Sequence, residues 1–127
     1  MAVPILKQGH YLIATIQTAL TDTDLRGLRD SLIAQVGRYR ACGVIIDITA
    51  LDLMDSFAVR TLRDIAQMGR LRGAETVIVG VQPEVALSMV ELGLTLDGVN
   101  TALDLEEGLV TLDERTKRPS KGEARAR

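Results

Sequence analysis

The sequence is poor in aromatic side chains. Among its 127 residues there is no tryptophan, and the aromatic residues are Tyr11, Tyr39 and Phe57. Proteins that bind single-stranded nucleic acid stack the bases on aromatic rings, so this shortage argues against such a role. A formal net charge of −2 also gives no general attraction to a phosphate backbone. We therefore expect an aliphatic core and no nucleic-acid partner.

Cysteines and long apolar runs are also scarce. Cys42 is the single cysteine, so no disulfide can form within the chain, and we expect it to be a small buried residue. No stretch approaches the roughly 18 consecutive apolar residues of a membrane-spanning helix, and no leader-like segment begins the chain. These absences predict a cytoplasmic protein without a membrane partner.

Motifs for phosphate binding and catalysis are missing as well. The chain has no G-x-G-x-x-G, no G-x-x-x-x-G-K-[ST] and no G-x-S-x-G sequence. His10 is the only histidine, and it lies in a predicted turn where it is expected to be solvated. A lone histidine there can neither build a metal centre nor activate a serine. We therefore expect no catalytic residue, no metal, no cofactor and no enzymatic activity.

The chain does contain an alternation of strand and helix patterns that is typical of a single α/β domain. Predicted strands cover residues 3–7, 11–16, 43–49, 76–81 and 99–103. Predicted helices cover residues 21–37, 55–72, 82–93 and 105–114. The first two strands predict a β-hairpin, and the later alternation predicts a mixed, mostly parallel sheet.

Local patterns refine the helices. Thr21 and Asp24 form a predicted capping box at the start of the first helix, and Gly37 is expected to end it. The predicted buried face of the third helix consists of Val85, Ala86, Met89 and Val90. The fourth helix is expected to present Leu105, Leu109 and Leu112 on one side.

The last 13 residues differ from the rest in composition. Residues 115–127 hold six basic residues and one acid, a net charge of +5 that leaves −7 on the rest of the chain. They include Pro119, Ser120 and Gly122 and no aliphatic side chain larger than alanine. We therefore predict one domain at residues 1–114 and a disordered basic tail at residues 115–127.

Residues 43–72 form the stretch around which the chain is organised. A buried strand ends near Asp47, an acidic loop follows at residues 52–55, and a helix begins at Asp55 or Ser56. The helix is expected to turn one face to the core with Ala58, Leu62, Ile65, Ala66 and Gly69, and another outward with Arg60, Arg63, Gln67 and Arg70. Ligands and partners dock at the carboxyl edge of such sheets.

Asp55 and Ser56 allow two interpretations. Both are favoured N-cap residues, so either one can accept a hydrogen bond from a free N–H group. Alternatively, Ser56 is a phosphorylation site, because a phosphate at a helix start meets unpaired N–H groups and the positive end of the helix dipole. Arg60, one turn further along, is close enough to contribute, whereas Asp55 would repel the phosphate. The residue pattern alone leaves both interpretations open.

The carboxylates Asp47, Asp52 and Asp55 also suggest a magnesium site of the kind found in phosphoacceptor receiver domains. Receivers need an acidic pair after the first strand and a lysine after the last. The corresponding positions hold Lys7-Gln8 or Gln17-Thr18, and Asp104-Leu105. The receiver interpretation is therefore disfavoured.

Asp55-Ser56-Phe57 after the strand at residues 43–47 resembles the signature of STAS domains, the anti-sigma-factor antagonist family. Further segments resemble the RsbS-type branch, small scaffold proteins of the bacterial stressosome, over about residues 3–112. These segments are Val3-Pro4-Ile5-Leu6-Lys7, Gly80-Val81-Gln82-Pro83, Glu91-Leu92-Gly93 and Thr101-Ala102-Leu103-Asp104-Leu105-Glu106 with Gly108-Leu109.

The resemblance implies a non-enzymatic partner-switching protein that assembles with itself and with RsbR-type STAS paralogues into a large cytoplasmic particle. It implies capture of an RsbT-type serine/threonine kinase, release on phosphorylation of Ser56, and resetting by an RsbX-type phosphatase. The expected partner-binding residues are Asp52, Asp55, Ser56, Phe57, Arg60 and Arg63. RsbR-type relatives carry an N-terminal sensory domain, whereas this chain starts at its first strand and so resembles the RsbS type. RsbR-type proteins also have a phosphothreonine near the first helix, where Thr21 and Thr23 lie.

A second function fits the same family. STAS domains also serve as regulators that bind a small ligand, including domains that sit beside transporters. A transporter domain would follow membrane spans, which this sequence lacks. A ligand-binding STAS regulator therefore stays as the alternative to a phosphorylated scaffold.

Overall fold

The chain forms a five-stranded sheet flanked by four helices in a computed structural model that describes residues 3–96 and 98–116. The strands are β1 (Ile5–Gln8), β2 (Tyr11–Thr15), β3 (Gly43–Asp47), β4 (Glu75–Val79) and β5 (Asn100–Ala102). The helices are α1 (Asp22–Tyr39), α2 (Ser56–Leu71), α3 (Pro83–Glu91) and α4 (Leu105–Thr116). This order confirms the predicted α/β class.

The sheet is mixed, and its strands lie in the order in which they occur along the chain. β1 and β2 pair antiparallel as a hairpin, and all the other neighbours pair parallel. Gly9 makes the two-residue turn possible with a φ of 60°, which hairpin turns require at this position. The predicted hairpin and the mostly parallel sheet are both confirmed.

Two apolar layers cover the two faces of the sheet. On one face, alternate strand residues such as Leu12, Val44 and Ile46 belong to the same buried cluster as Leu32 of α1 and Leu62 of α2. On the opposite face, the smaller cluster consists of Ile13, Ile45, Val77, Val79, Ala102 and Leu112. Strand residues alternate between the two clusters because successive side chains point to opposite faces. The core is aliphatic, as predicted.

Helix α4 lies close against its face of the sheet because two glycines leave room for it. A methyl group added at Gly43 would lie 2.8 Å from side-chain atoms of Leu112 and Tyr11, and one at Gly108 would lie 2.6 Å from Val79. The predicted apolar side of α4 is only partly right. Leu112 is buried and Leu109 is half-buried, but Leu105 is exposed.

For the flanking helices, the predicted end of α1 was wrong and the predicted buried face of α3 was only partly right. Gly37 does not end α1, which runs to Tyr39 and is capped by Arg40 in the left-handed conformation. Gly37 lies inside the helix, where the Arg72 guanidinium covers it. In α3, Val85 is buried and Met89 is half-buried, but Ala86 and Val90 are exposed. Leu94, Leu96 and Val99 of the following loop pack against the core beside this short helix.

The boundary of the predicted tail falls inside α4. Arg115 and Thr116 are helical, and the Thr116 Oγ1 atom lies 3.1 Å from the Tyr11 hydroxyl. The rest of the predicted tail, residues 117–127, lies outside the described residues. The helix therefore continues two residues beyond the predicted end at Glu114.

Truncation after Thr116 is expected to leave the free energy of unfolding within about 0.5 kcal/mol of the full chain, because residues 117–127 have no large apolar side chain to bury. Truncation after Glu114 removes the Tyr11–Thr116 hydrogen bond and is expected to cost about 1 kcal/mol more. Urea unfolding of both truncated chains measures the difference. Equal stability of the two would show that this bond contributes nothing.

Candidate functional site

The candidate site lies at the edge of the sheet where β3 and β4 end. The loop after β3 (residues 48–55) leads to α2, and the short connection after β4 leads to α3. Because parallel strands end at the same edge, these two connections lie side by side. The side chain of Gln82 donates a hydrogen bond from Nε2 to the Thr49 carbonyl at 2.5 Å and ties them together.

The loop after β3 is held at both ends. The Thr49 N–H and hydroxyl groups both donate to Asp47 Oδ1, at 2.9 and 2.6 Å. Leu51 and Met54 are buried and anchor the middle and the end of the loop. Between these anchors, Asp52 and Leu53 project outward, and Leu53 is 68% exposed. The anchored loop therefore presents one acidic and one apolar side chain to the outside.

Asp55, rather than Ser56, is the N-cap of α2. Its Oδ1 atom accepts a hydrogen bond from the Ala58 N–H at 2.8 Å, and its backbone is extended, with φ −84° and ψ 175°. Ser56 is the first residue of the helix and is half-buried. Its hydroxyl makes no hydrogen bond with any residue that the structure describes. The cap and the candidate phosphorylation site are therefore two different residues.

Replacing Asp55 by alanine is expected to lower the free energy of unfolding by about 1 kcal/mol, because the Ala58 N–H loses its acceptor. Asp55→Asn is the matched control, since asparagine caps helices about as well as aspartate but carries no charge. Chemical denaturation of the two variants separates the contribution of the capping hydrogen bond from that of the Asp55 charge. An equally large loss in the asparagine variant would show that the charge of Asp55, and not the cap, stabilises α2.

Phe57 connects the start of α2 to α1. Its ring is half-buried, and the Arg26 guanidinium of α1 lies over it, 5.4 Å from the ring centroid. An arginine at this distance from an aromatic face is attracted by the negative face of the ring. Arg26 was not predicted as a site residue. Its position depends on how α1 packs against α2, and no local pattern in the sequence encodes that.

The predicted arginine face of α2 divides into two parts. Arg60 is exposed and makes no hydrogen bond or ion pair with any described residue. Arg63 is half-buried and donates to the Thr95 carbonyl at 3.3 Å. Arg70 donates to the Gly98 carbonyl and lies 3.8 Å from the Glu75 carboxylate. Arg63 and Arg70 therefore secure the loop before β5, whereas the Arg60 guanidinium is open to solvent.

The structure brings most of the predicted partner-binding residues together. Together with the neighbouring Leu53, we call these residues the switch surface. It consists of Asp52, Leu53, Asp55, Ser56, Phe57 and Arg60. Leu53 is an addition to the prediction, because nothing in the sequence distinguishes an exposed leucine from the buried ones beside it. Arg63 donates to the loop before β5 and is not counted in this surface, and its role in partner binding stays a prediction.

The carboxylates that suggested a magnesium site do not form one. Asp47 is engaged by Thr49, and Asp55 caps α2. Within residues 3–96 and 98–116, no group of three acidic, histidine or cysteine side chains is placed to hold a metal ion.

A groove of about 1260 Å³ lies at the opposite edge of the sheet, between the β-hairpin turn and α4. Its lining includes His10, Tyr11, Cys42 and Val110. Cys42 is half-buried there rather than fully buried as predicted. Partial burial raises the pKa of the Tyr11 phenol above its ordinary value, and the hydrogen bond to Asp113 raises it further by a smaller amount.

A protein-family model for the STAS domain matches residues 2–108. The RsbT co-antagonist protein RsbRA of Bacillus subtilis (strain 168) is 31% identical over 107 residues, which cover 84% of this chain. The match spans only 38% of the length of RsbRA. The chain therefore corresponds to well under half of that relative.

Two solved structures are similar over nearly their whole length. RsbS of Moorella thermoacetica, in a serine-to-glutamate variant, has a TM-score of 0.80 and 34% identity, and the match covers 91% of this chain and 98% of that one. The second is a chain from a structure of the stressosome, which is described as a signal integration and transduction hub. It has a TM-score of 0.77 and 35% identity, and the match covers 91% of this chain and 100% of that one. In the described part of this chain, no helix is long and apolar enough to cross a membrane.

Proposed function

This chain belongs to the STAS domain family, and from that premise we propose that it is a stressosome scaffold that captures a serine/threonine kinase and releases it when Ser56 is phosphorylated. Its relatives are the stressosome proteins RsbS and RsbR, which are anti-sigma-factor antagonists and not enzymes. Consistent with that class, His10 lies in the groove at the opposite edge of the sheet and is not placed to act as a base for Ser56.

The observation that carries the proposal is the division of roles at the start of α2. Because Asp55 supplies the cap, the Ser56 hydroxyl is not needed to hold the helix together. A phosphate on Ser56 would lie beside the first N–H groups of α2, which have no partner within the helix. The helix dipole also favours a negative charge at this position. The fold is therefore expected to accept phosphorylation without unwinding.

The charge of the switch surface explains how phosphorylation would release a partner. A phosphate adds roughly −1.5 to −2 charges at neutral pH, next to the exposed carboxylates of Asp52 and Asp55. A kinase bound to the unmodified surface would then face a new anion across the interface. Uncompensated charge at an interface weakens binding and raises the dissociation rate.

The proposed partners come from the relatives. RsbRA is named as a co-antagonist of RsbT, which supports an RsbT-type kinase as the captured partner and RsbR-type paralogues as co-assembling subunits. We further propose an RsbX-type phosphatase that resets Ser56, and self-association in a large cytoplasmic particle. Thr21 and Thr23 are exposed at the start of α1, where the Thr21 hydroxyl caps the helix, and we propose no second phosphorylation site there.

Co-purification from cells followed by mass spectrometry tests this function. We expect the tagged full chain to elute as a large particle that contains RsbR-type and kinase-type proteins, with phosphate mapped to Ser56 in a fraction of the copies. Phosphate found only at other residues would contradict the switch. A particle without a kinase under any growth condition would contradict kinase capture.

The groove at the opposite edge supports the alternative, a STAS regulator that binds a small ligand. The same purification discriminates between the two functions. A monomer that carries a metabolite, lost on Val110→Arg at the groove wall, would favour the alternative. A large particle whose composition is unchanged by Val110→Arg would favour the scaffold.

A further inference from the structure

We propose that Arg26 holds the Ser56 phosphate, reaching from α1 across the Phe57 ring to the start of α2. This inference rests on the proposed phosphorylation of Ser56 and names a residue that would receive the phosphate within the same molecule. It assigns a role to an arginine that lies outside the predicted site.

The contacts of Arg26 support this role. Arg26 is exposed, and Asp22 lies four residues earlier on α1, at the spacing of a favourable helical ion pair. Nevertheless, Arg26 forms no ion pair or hydrogen bond within the described residues, and its guanidinium lies over the face of Phe57. The charge is thus placed beside the residue that follows Ser56 and is not neutralised by a carboxylate.

A guanidinium that lies against an aromatic ring keeps its hydrogen-bond donors available. Its N–H groups point outward in the plane of the group, and they match the oxygen spacing of a phosphate in a two-bond arrangement. The ring orients the guanidinium and limits its rotamers, so less freedom is lost when the phosphate binds. Arg26 can therefore remain against Phe57 while it binds a phosphate on the neighbouring residue.

The other charges around Ser56 set the balance that Arg26 enters. Arg60 of α2 lies one turn beyond Ser56, whereas Asp52 and Asp55 of the loop are negative, and Asp55 is already engaged by the Ala58 N–H. On α1, Arg26 contacts Phe57, and Asp22 lies four residues before Arg26. Without Arg26, a phosphate would face two carboxylates of the loop with Arg60 as the opposing cation. With Arg26, two positive side chains oppose the two negative ones around the phosphate.

The test uses the full chain with phosphoserine incorporated at position 56 during translation, so that no kinase is required. A ³¹P NMR titration measures the pH at which the phosphate takes up its second proton, near pH 6 for phosphoserine. We expect Arg26→Gln to raise this midpoint by about 0.5 pH unit, roughly a threefold gain in proton affinity, because a nearby cation favours the doubly charged phosphate. Arg26→Lys keeps the charge without the planar donors and is expected to give about half of that shift.

Arg38→Gln is the matched control. Arg38 also lies over an aromatic ring, at 5.4 Å from the centroid of Tyr39, but about three turns further along α1. It is expected to leave the midpoint unchanged. Raising the salt concentration from 0.05 to 0.5 M should shrink the difference caused by Arg26→Gln, because the groups are exposed.

An unchanged midpoint in Arg26→Gln, or an equal shift in Arg38→Gln, would overturn the assignment of Arg26. Circular dichroism checks that each variant is folded. If Arg26→Gln unfolds, the midpoint shift in Arg26→Lys tests the assignment instead. Either negative result would leave kinase capture standing, since no kinase takes part in the experiment. Conversely, failure to recover a kinase by co-purification would overturn the proposed function whatever the titration shows.

Discussion

Ser56→Ala is expected to keep the proposed RsbT-type kinase captured after ATP is added, whereas the wild-type protein is expected to release it. The variant keeps the unmodified surface and the Asp55 cap but has no hydroxyl to accept a phosphate. For the wild type, phosphorylation is expected to weaken kinase binding by at least about tenfold, which corresponds to about 1.4 kcal/mol. Ser56→Asp should weaken binding less, by about threefold, because one carboxylate carries less charge than a phosphate.

Calorimetry or surface-based binding with the purified kinase measures these affinities, before and after ATP is added. Ser31→Asp is the control for charge alone. Ser31 is exposed on α1, and among the described residues its hydroxyl accepts a hydrogen bond only from Gln35, four residues along the same helix. It should leave affinity close to that of the wild type. Equal kinase affinity for the wild type, the phosphorylated protein and Ser56→Asp would refute a charge switch at Ser56.

Gly80→Ala is expected to destabilise the domain by about 2–4 kcal/mol. Gly80 follows β4 with a φ of 76°, a left-handed conformation that costs an L-residue about 1–2 kcal/mol. A methyl group there would also lie 2.8 Å from the Thr49 Cα atom, so the backbone of the loop after β3 would have to move. Overpacking of this kind typically costs about 1–3 kcal/mol. We expect the melting temperature to fall by about 10 °C.

Gly27→Ala provides the matched control in the same assay. Gly27 is exposed in α1, and nothing lies within 4 Å of the methyl group that alanine would add. Alanine is favoured over glycine inside a helix by about 0.8–1 kcal/mol, so this variant should be more stable than the wild type. If Gly80→Ala melted within 2 °C of the wild type, the close approach of the two loops would be of no consequence for stability.

Much of the fold could be predicted because it is encoded locally. The capping box at Thr21 and the proline at the start of α3 are short-range patterns, and both helices begin where those patterns indicated. The aliphatic strands and the helical spacing of Leu62 and Ile65 also predicted the core correctly. These features depend on residues within a few positions of one another, so one sequence suffices to identify them.

The remaining features depend on tertiary packing, and the sequence could not reveal them. Arg63 and Arg60 are three residues apart on one helix, yet only Arg63 reaches a loop carbonyl. Arg26 reaches Phe57 only because α1 packs against α2. Likewise, Val90 is exposed, whereas Met89 beside it and Leu94 of the following loop pack against the core. Contacts between distant segments decided each of these outcomes.

The separation of cap and serine has a consequence for how the two neighbouring positions tolerate change during evolution. Position 55 must supply a side-chain oxygen to the Ala58 N–H, so few residue types fit there in any member that keeps this loop. The Ser56 side chain does not supply the cap, so under the proposed function it is open to selection for signalling alone. A single substitution at position 56 would then remove the proposed switch and leave the subunit folded.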